Sequence, residues 1–224
     1  MAHVLLVRHG ESAWNAEGRW QGQADPPLTD LGLRQAALAA HAVGSVEAVV
    51  ASDLQRASVT ADVMAEALGV GPVVVDPGWR ERSVGEWSGL TRQEIHQRWP
   101  GCLSDDPVRT RLRPVDGSLA ERRPPGWESD EHLLERTLAA LRRLVAPTGD
   151  GDVLVITHGG VIYNLEHHLG SDAGRIPNLG GRWVHAGVES AGLAAPEAAV
   201  TVTLGDRVVL VDPEVISLTV PGEL

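Results

Sequence analysis

A chain of 224 residues can bury one sizeable core, and its 43% hydrophobic and 22% charged content are those of an ordinary globular protein. The formal charge of -11 argues against a general affinity for nucleic acid or anionic membranes, which require clustered cations, so any bound anion must be held locally. All 19 basic residues are arginine, which excludes a Walker-type phosphate loop and a Schiff-base mechanism, both dependent on a lysine amine.

Val4-Leu5-Leu6-Val7 reads as a short buried strand that ends in Arg8-His9-Gly10, a triplet no core accepts. In an α/β protein the carboxyl end of a parallel strand is where ligands sit, so Arg8 and His9 are expected at a site mouth. Residues 10–28 hold Gly10, Gly18, Gly22, Pro26 and Pro27 among polar residues and read as a long ordered loop. Thr29 is positioned to cap a helix over 30–43, and Val46–Ala51 forms a second strand. Ser52, with Gln55 three residues on, predicts the cap of a helix that stops at Gly69. Val73–Val75 is a third strand, and residues 91–99 make a short helix before Pro100. This alternation predicts a parallel or mixed sheet covered by helices.

Residues 100–127 carry five prolines and Arg109, Arg111, Arg113, Arg122 and Arg123, either a solvated excursion or a cap over the site. Ser129 then caps a helix to about 145, with Asp130 and Glu131 in its first turn. Val153–Thr157 is the strongest strand in the chain, and it runs straight into His158-Gly159-Gly160 and a helix. In the tail, Val200–Leu204 and Arg207–Val211 flank Gly205-Asp206, a two-residue hairpin signal, and a strand through Arg182–His185 would pass near the site and could turn His185 toward it. The whole of 1–224 is read as one domain.

Because Arg8-His9 and His158 each follow a buried strand, the fold can bring both imidazoles to one edge of the sheet. A histidine acts as a nucleophile only through a neutral ring nitrogen, which requires the other nitrogen to donate a hydrogen bond. Taken singly, each residue has a plainer reading: a satisfied polar histidine, an Arg56 paired with Asp53, and a Glu81 in a surface Arg-Glu-Arg cluster. Trp14, Trp20, Trp87 and Trp99 read as core anchors. Paired His-x-x-x-His or clustered carboxylate spacing is missing, so no metal site is predicted. A single cysteine, Cys102, and no basic and apolar leader ahead of the first strand lead to the expectation of a cytoplasmic protein without a membrane span.

Four ordered blocks carry a resemblance. They are Arg8-His9-Gly10-Glu11 with Trp14-Asn15, Gln21-Gly22 and Asp25; Ser52-Asp53-Leu54-Gln55-Arg56-Ala57; Arg80 through Leu90; and Thr157-His158-Gly159-Gly160. Together they resemble the histidine phosphatase superfamily, the phosphoglycerate-mutase-like proteins. The resemblance implies an α/β three-layer sandwich, a mostly parallel central sheet with helices on both faces, and a metal-independent phosphomonoester hydrolase that needs no cofactor and acts on small phosphorylated metabolites through a phosphohistidine. It implies His9 as nucleophile; Arg8, Arg56 and His158 as phosphoryl ligands; Asn15, Gln21, Gly22 and Gly159 as substrate-binding groups; and Glu81 as general acid, its pKa raised by apolar surface such as Trp79 or Trp87. The partner implied is a small-molecule phosphomonoester, and a homodimer is admitted, since relatives are often dimers.

A cofactor-dependent mutase is the main rival, although Gln21-Gly22-Gln23-Ala24-Asp25 looks more like the phosphatase branch. A metal-dependent hydrolase and a non-catalytic phosphate-binding protein rank behind it. One departure stands out: Gly126-Trp127-Glu128-Ser129 occupies the place where the family often shows Gly-Gly-Glu-Ser.

Overall fold

Two neighbouring strands, β1 (Ala2–Arg8) and β4 (Asp152–Thr157), form the middle of the sheet. Both are near-continuous apolar runs, as strands covered on both faces must be. In the computed structural model, which describes residues 1–103, 123–148, 150–188 and 200–212, Val4 and Leu6 of β1 enter one core while Leu5 and Val7 enter the other. β4 divides in the same way, Val153 and Val155 against Leu154 and Ile156. At roughly 1.5–3 kcal/mol for each fully buried aliphatic side chain, these two strands anchor both layers.

Strands β2 (Ala48–Ala51) and β3 (Val74–Val75) extend the sheet in parallel on the β4 side. On the β1 side, β5 (Gly180–Val188) runs antiparallel to β1, and β6 (Val200–Val209) antiparallel to β5, giving the order β3-β2-β4-β1-β5-β6. The sheet is therefore mixed, with its parallel half carrying the site. Helix α1 (Ala13–Ala16) lies in the loop after β1. Helices α2 (Asp30–Val43) and α3 (Gln55–Leu68) cover one face through small residues, Ala36, Ala39 and Ala40 against Ala57, Ala61 and Ala65, which let the helices approach closely. After α4 (Arg92–Arg98), helices α5 (Asp130–Thr148) and α6 (Gly159–His168) cover the other face with Leu133, Leu141, Val161 and Ile162. A third, smaller cluster of Val84, Trp87, Ile95 and Leu103, with Trp20, Trp99 and Trp127 against it, lies under the loops.

The structure corrects several local expectations. Residues 10–28 are not loop throughout, because Ser12 and Asn15 form a capping box that starts α1. Ser52 does not cap α3: its hydroxyl accepts the Leu54 N–H at 3.2 Å, the helix begins at Gln55, and Asp25 from the distant loop takes the Gln55 N–H at 2.7 Å. Gly205-Asp206 is not a hairpin turn. Both residues lie inside β6, where the register against β5 shifts between Arg182 and Val184, so the glycine marks a bulge rather than a reversal. A Cβ at Gly205 would come within 2.9 Å of the Trp183 Cβ, which is the close approach that requires glycine there. His185 pairs with His3 at the far end of β1, rings 4.9 Å apart, and is not at the site. The expected cap lies outside the described residues over 104–122. No helix among the described residues is long and apolar enough to cross a membrane.

Candidate active site

The register of β1 on β4 makes the site. Arg8 is the Cα partner of Thr157, so the residues after them, His9 and His158, leave the sheet side by side. The His9 N–H bonds the Thr157 carbonyl at 3.0 Å, and the two imidazole centroids stand 5.1 Å apart at 61°. Both side chains are buried, as is Arg56. Backbone packing holds this edge rigid. A Cβ on Gly10 would lie 2.6 Å from the Gly32 carbonyl oxygen and one on Gly32 2.1 Å from that of Glu11, so the start of α2 sits directly against the chain leaving His9. Thr60 of α3 accepts the Gly10 N–H at 3.1 Å.

The hydrogen bonds of His9 assign its tautomer. Nδ1 lies 2.6 Å from the Gly10 carbonyl, which can only accept, so Nδ1 carries the proton and Nε2 is left with its lone pair. That lone pair faces the Arg56 Nε–H at 3.2 Å. Burial, then the positive charges of Arg56 and Arg8, holds the His9 imidazole well below its ordinary pKa, and burial followed by Arg56 does the same to His158. Two neutral rings thus share a buried site with the Arg56 guanidinium, which touches one of them, and with the charge of Arg8, which bears on both. Both nitrogens of His158 are buried with no hydrogen-bond partner among the described residues, a cost that a ligand beside it would relieve.

Arg56 is committed on three sides: Nε to His9, Nη1 to the Ala24 carbonyl at 2.7 Å and Nη2 to the Gly22 carbonyl at 2.8 Å. Burial lowers its pKa to about 10, so it remains a cation at neutral pH. It does not pair with Asp53; that carboxylate is taken by both arms of Arg80, at 2.8 and 2.6 Å. Arg8 donates through Nη1 to the Ile176 carbonyl at 2.9 Å.

Glu81 escapes the surface cluster its neighbours suggest, because Arg80 turns to Asp53 and Arg82 to Asp130. Its carboxyl oxygens instead accept the Arg82 N–H at 2.7 Å and the Gly160 N–H, in the first turn of α6, at 3.1 Å. Trp79 and Trp87 are both fully buried, in different clusters.

Arg8, His9, Arg56 and Glu81 line one cavity of about 940 Å³ at the C-terminal edge of the parallel strands, and Asn15, Gln21, Gly22 and Gly159 line it with them. His158, against the His9 ring, completes the set. Gln21 accepts the Ser12 hydroxyl at 2.9 Å, whereas Gly22, at φ +53°, packs so closely on Val84 that a Cβ would lie 2.7 Å from its methyl group. The Gly22 carbonyl is spent on Arg56, so its use to a ligand would be through the N–H. Apart from His158, which is fully buried against the His9 ring and does not itself line the cavity, every residue singled out from the sequence as catalytic or substrate-binding lines it.

Sequence reasoning missed three contributors. Asn178 donates to the His9 carbonyl at 2.8 Å and to Asn15 Oδ1 at 3.3 Å, and Tyr163 accepts the Ile176 N–H, which fixes the segment that receives Arg8. Arg136, from α5, donates to the Glu81 carbonyl at 3.0 Å. The Pro177-Asn178 pair is at most a turn signal, and nothing local to it points to a site. Beyond the phosphate-sized end the cavity wall is basic and aromatic: Arg82 and Arg123 stack on Trp127 at 5.4 and 4.8 Å from its ring centre. Among the described residues no cluster of three or more histidine, cysteine or acidic side chains converges as a metal site.

Comparison with known proteins gives a consistent result. The model of the histidine phosphatase superfamily (branch 1) matches residues 4–182. A metal-independent phosphoserine phosphatase of Arabidopsis thaliana is 34% identical over 190 residues, 83% of this chain and 76% of the relative. A probable phosphoglycerate mutase, GpmB, of Yersinia pestis is 37% identical over 161 residues, 71% of this chain and 70% of the relative. Among solved structures, mycobacterial glucosyl-3-phosphoglycerate phosphatase superposes with a TM-score of 0.70 at 27% identity, over 91% of this chain and 98% of that one.

Proposed function

The chain belongs to the histidine phosphatase superfamily, branch 1, and on that premise we propose that it hydrolyses small phosphomonoesters without a metal ion, His9 carrying the phosphoryl group between two displacements. It is a histidine-type phosphatase whose residues divide the work between those two steps. In the first step the His9 Nε2 lone pair forms the P–N bond as the P–O bond to the leaving group breaks. Glu81 gives its proton to the departing oxygen, and the alcohol leaves. In the second step Glu81, now a carboxylate, takes a proton from water, whose oxygen attacks phosphorus as the P–N bond breaks, releasing inorganic phosphate and neutral His9.

Arg8, Arg56 and His158 surround the three equatorial oxygens, where transition-state charge is spread and where fixed donors act most strongly. Arg56 has a double part, since its Nε–H rests on the nucleophile's lone pair and must pass to a phosphoryl oxygen before attack. The single observation that carries the reading is the bond from His9 Nδ1 to Gly10, which leaves Nε2 unprotonated beside two buried guanidinium groups.

The test pairs two variants. His9→Ala should abolish turnover, while Glu81→Gln should slow alkyl phosphates, which need a protonated leaving group, far more than activated aryl phosphates. Equal slowing of both ester classes would remove Glu81 from the acid role. The mutase reading is favoured by the name of the Yersinia relative; conversion of 3-phosphoglycerate to 2-phosphoglycerate with a bisphosphate primer, in place of phosphate release, would support it. We further place the enzyme in the cytoplasm, acting on a free small molecule, with Cys102 as its one thiol.

A further inference from the structure

An ion pair outside the phosphate cage acquires a use once the chain is taken as a phosphatase, and the inference drawn from it rests on that reading. Glu128 and Arg136 sit at the start of α5, far in sequence from every catalytic group assigned so far. Their side chains are 6% and 17% exposed, and they form a bidentate pair, Arg136 Nε to Glu128 Oε1 at 2.7 Å and Nη2 to Oε2 at 2.9 Å. Burial raises the Glu128 pKa, but the hydrogen bond and charge of Arg136 outweigh it and leave the carboxyl below its ordinary value. A buried pair of this kind contributes little net stability compared with apolar residues of the same size, so its use must be sought elsewhere.

Apart from the exposed His132, whose Nδ1 lies 3.3 Å from Glu128 Oε1, the bonds the pair makes beyond itself hold one loop. Arg136 donates to the carbonyls of Gly78 at 2.9 Å, Arg80 at 2.6 Å and Glu81 at 3.0 Å. Glu128 accepts the Ser83 N–H at 3.1 Å, and its own carbonyl receives Arg82 Nη1 at 2.7 Å. These bonds fasten residues 78–83 to the start of α5, and Glu81 is the side chain of that loop that reaches the Gly160 N–H. Catalytic groups must be held within fractions of an ångström, and a loop does this only when its backbone is tied by a rigid neighbour.

We propose that Arg136 and Glu128 are positioning residues for Glu81, setting where its carboxyl meets the leaving oxygen. Neither lines the cavity, so the geometry they set reaches the reaction through Glu81; the charge of Arg136, which also bears on His158, is kept in a lysine variant. They also give Glu128, in the stretch Gly126-Trp127-Glu128-Ser129, a role that its sequence context did not disclose.

A double-mutant cycle tests this. Arg136→Lys keeps the charge but cannot reproduce the directed N–H fork of the guanidinium. Its kcat on an alkyl phosphate should fall about tenfold or more with KM within about twofold, and its kcat on p-nitrophenyl phosphate should fall much less. In a Glu81→Gln background the same change should add less than about threefold on the alkyl ester, since the group it positions is already disabled. Glu128→Gln, read in the same cycle, serves where Arg136→Lys does not fold. Equal losses on both esters, or full additivity with Glu81→Gln, would overturn the proposal while leaving the phosphatase reading intact. A wild-type protein inactive on both esters would overturn the reading, and the proposal with it.

Discussion

Arg56→Lys puts the phosphate cage to its strictest test, because it removes geometry while keeping charge. The guanidinium has five N–H donors, and three are engaged at rest with His9, Ala24 and Gly22. Two remain for a phosphoryl group, and the Nε–H joins them when it leaves His9. A lysine ammonium has three donors on one atom and cannot satisfy two loop carbonyls and two phosphoryl oxygens together. At roughly 1.5–3 kcal/mol for each hydrogen bond to a charged group, losing two such bonds costs about 3–6 kcal/mol of transition-state binding. This corresponds to a fall in kcat/KM on the order of 10²–10⁴. Steady-state hydrolysis of p-nitrophenyl phosphate, with inhibition by inorganic phosphate measured in parallel, reads both binding and turnover. A variant within about fivefold of wild type in kcat/KM would show that the fork geometry of Arg56 is not used, and the cage as described would be wrong.

Two further perturbations separate stability from catalysis. In Gly160→Ala the new Cβ would lie 2.1 Å from Glu81 Oε1, so the carboxyl must swing away, while alanine stabilises a helix by about 1 kcal/mol over glycine. Denaturant unfolding should show unchanged or higher stability while alkyl-phosphate turnover drops; retained turnover would mean that Glu81 tolerates displacement. For pH, His9 and His158 stay neutral in the folded protein because burial and the neighbouring arginines lower their pKa. The unfolded chain binds protons at both as pH falls below about 6.5, so stability is lost in that direction, by up to about 1.4 kcal/mol per pH unit for each ring. Urea unfolding at about pH 7.5 and 5.5 should reveal this slope, and replacing His158 with Gln should reduce it; a flat profile would contradict the neutral pair.

The parts of the site legible in the sequence are those written within single segments. Val4–Val7 and Val153–Ile156 declare buried strands, and each visibly ends in a histidine block, so the meeting of His9 and His158 is a consequence of β1 pairing with β4. Arg56 is different: locally its natural partner is Asp53, and only the tertiary placement of Arg80 frees it. Ser52 misleads because capping depends on where the helix starts, and Asp25, thirty residues upstream of Gln55, decides that. Gly205-Asp206 serves equally as a turn or a bulge, and the choice is made by β5 opposite. Arg136 and Asn178 carry no signal, since an arginine on an amphipathic helix and an asparagine after a proline are commonplace on surfaces.

The most direct measurement is to quench the enzyme during turnover of a phosphomonoester and locate the phosphoryl group by mass spectrometry under alkaline conditions, which preserve phosphohistidine. One phosphoryl group on Nε2 of His9, lost on acid treatment, is the predicted result, because Nδ1 is bound to the Gly10 carbonyl. A label on Nδ1, on another residue, or on no residue in an enzyme that turns over at full rate would contradict the phosphohistidine mechanism.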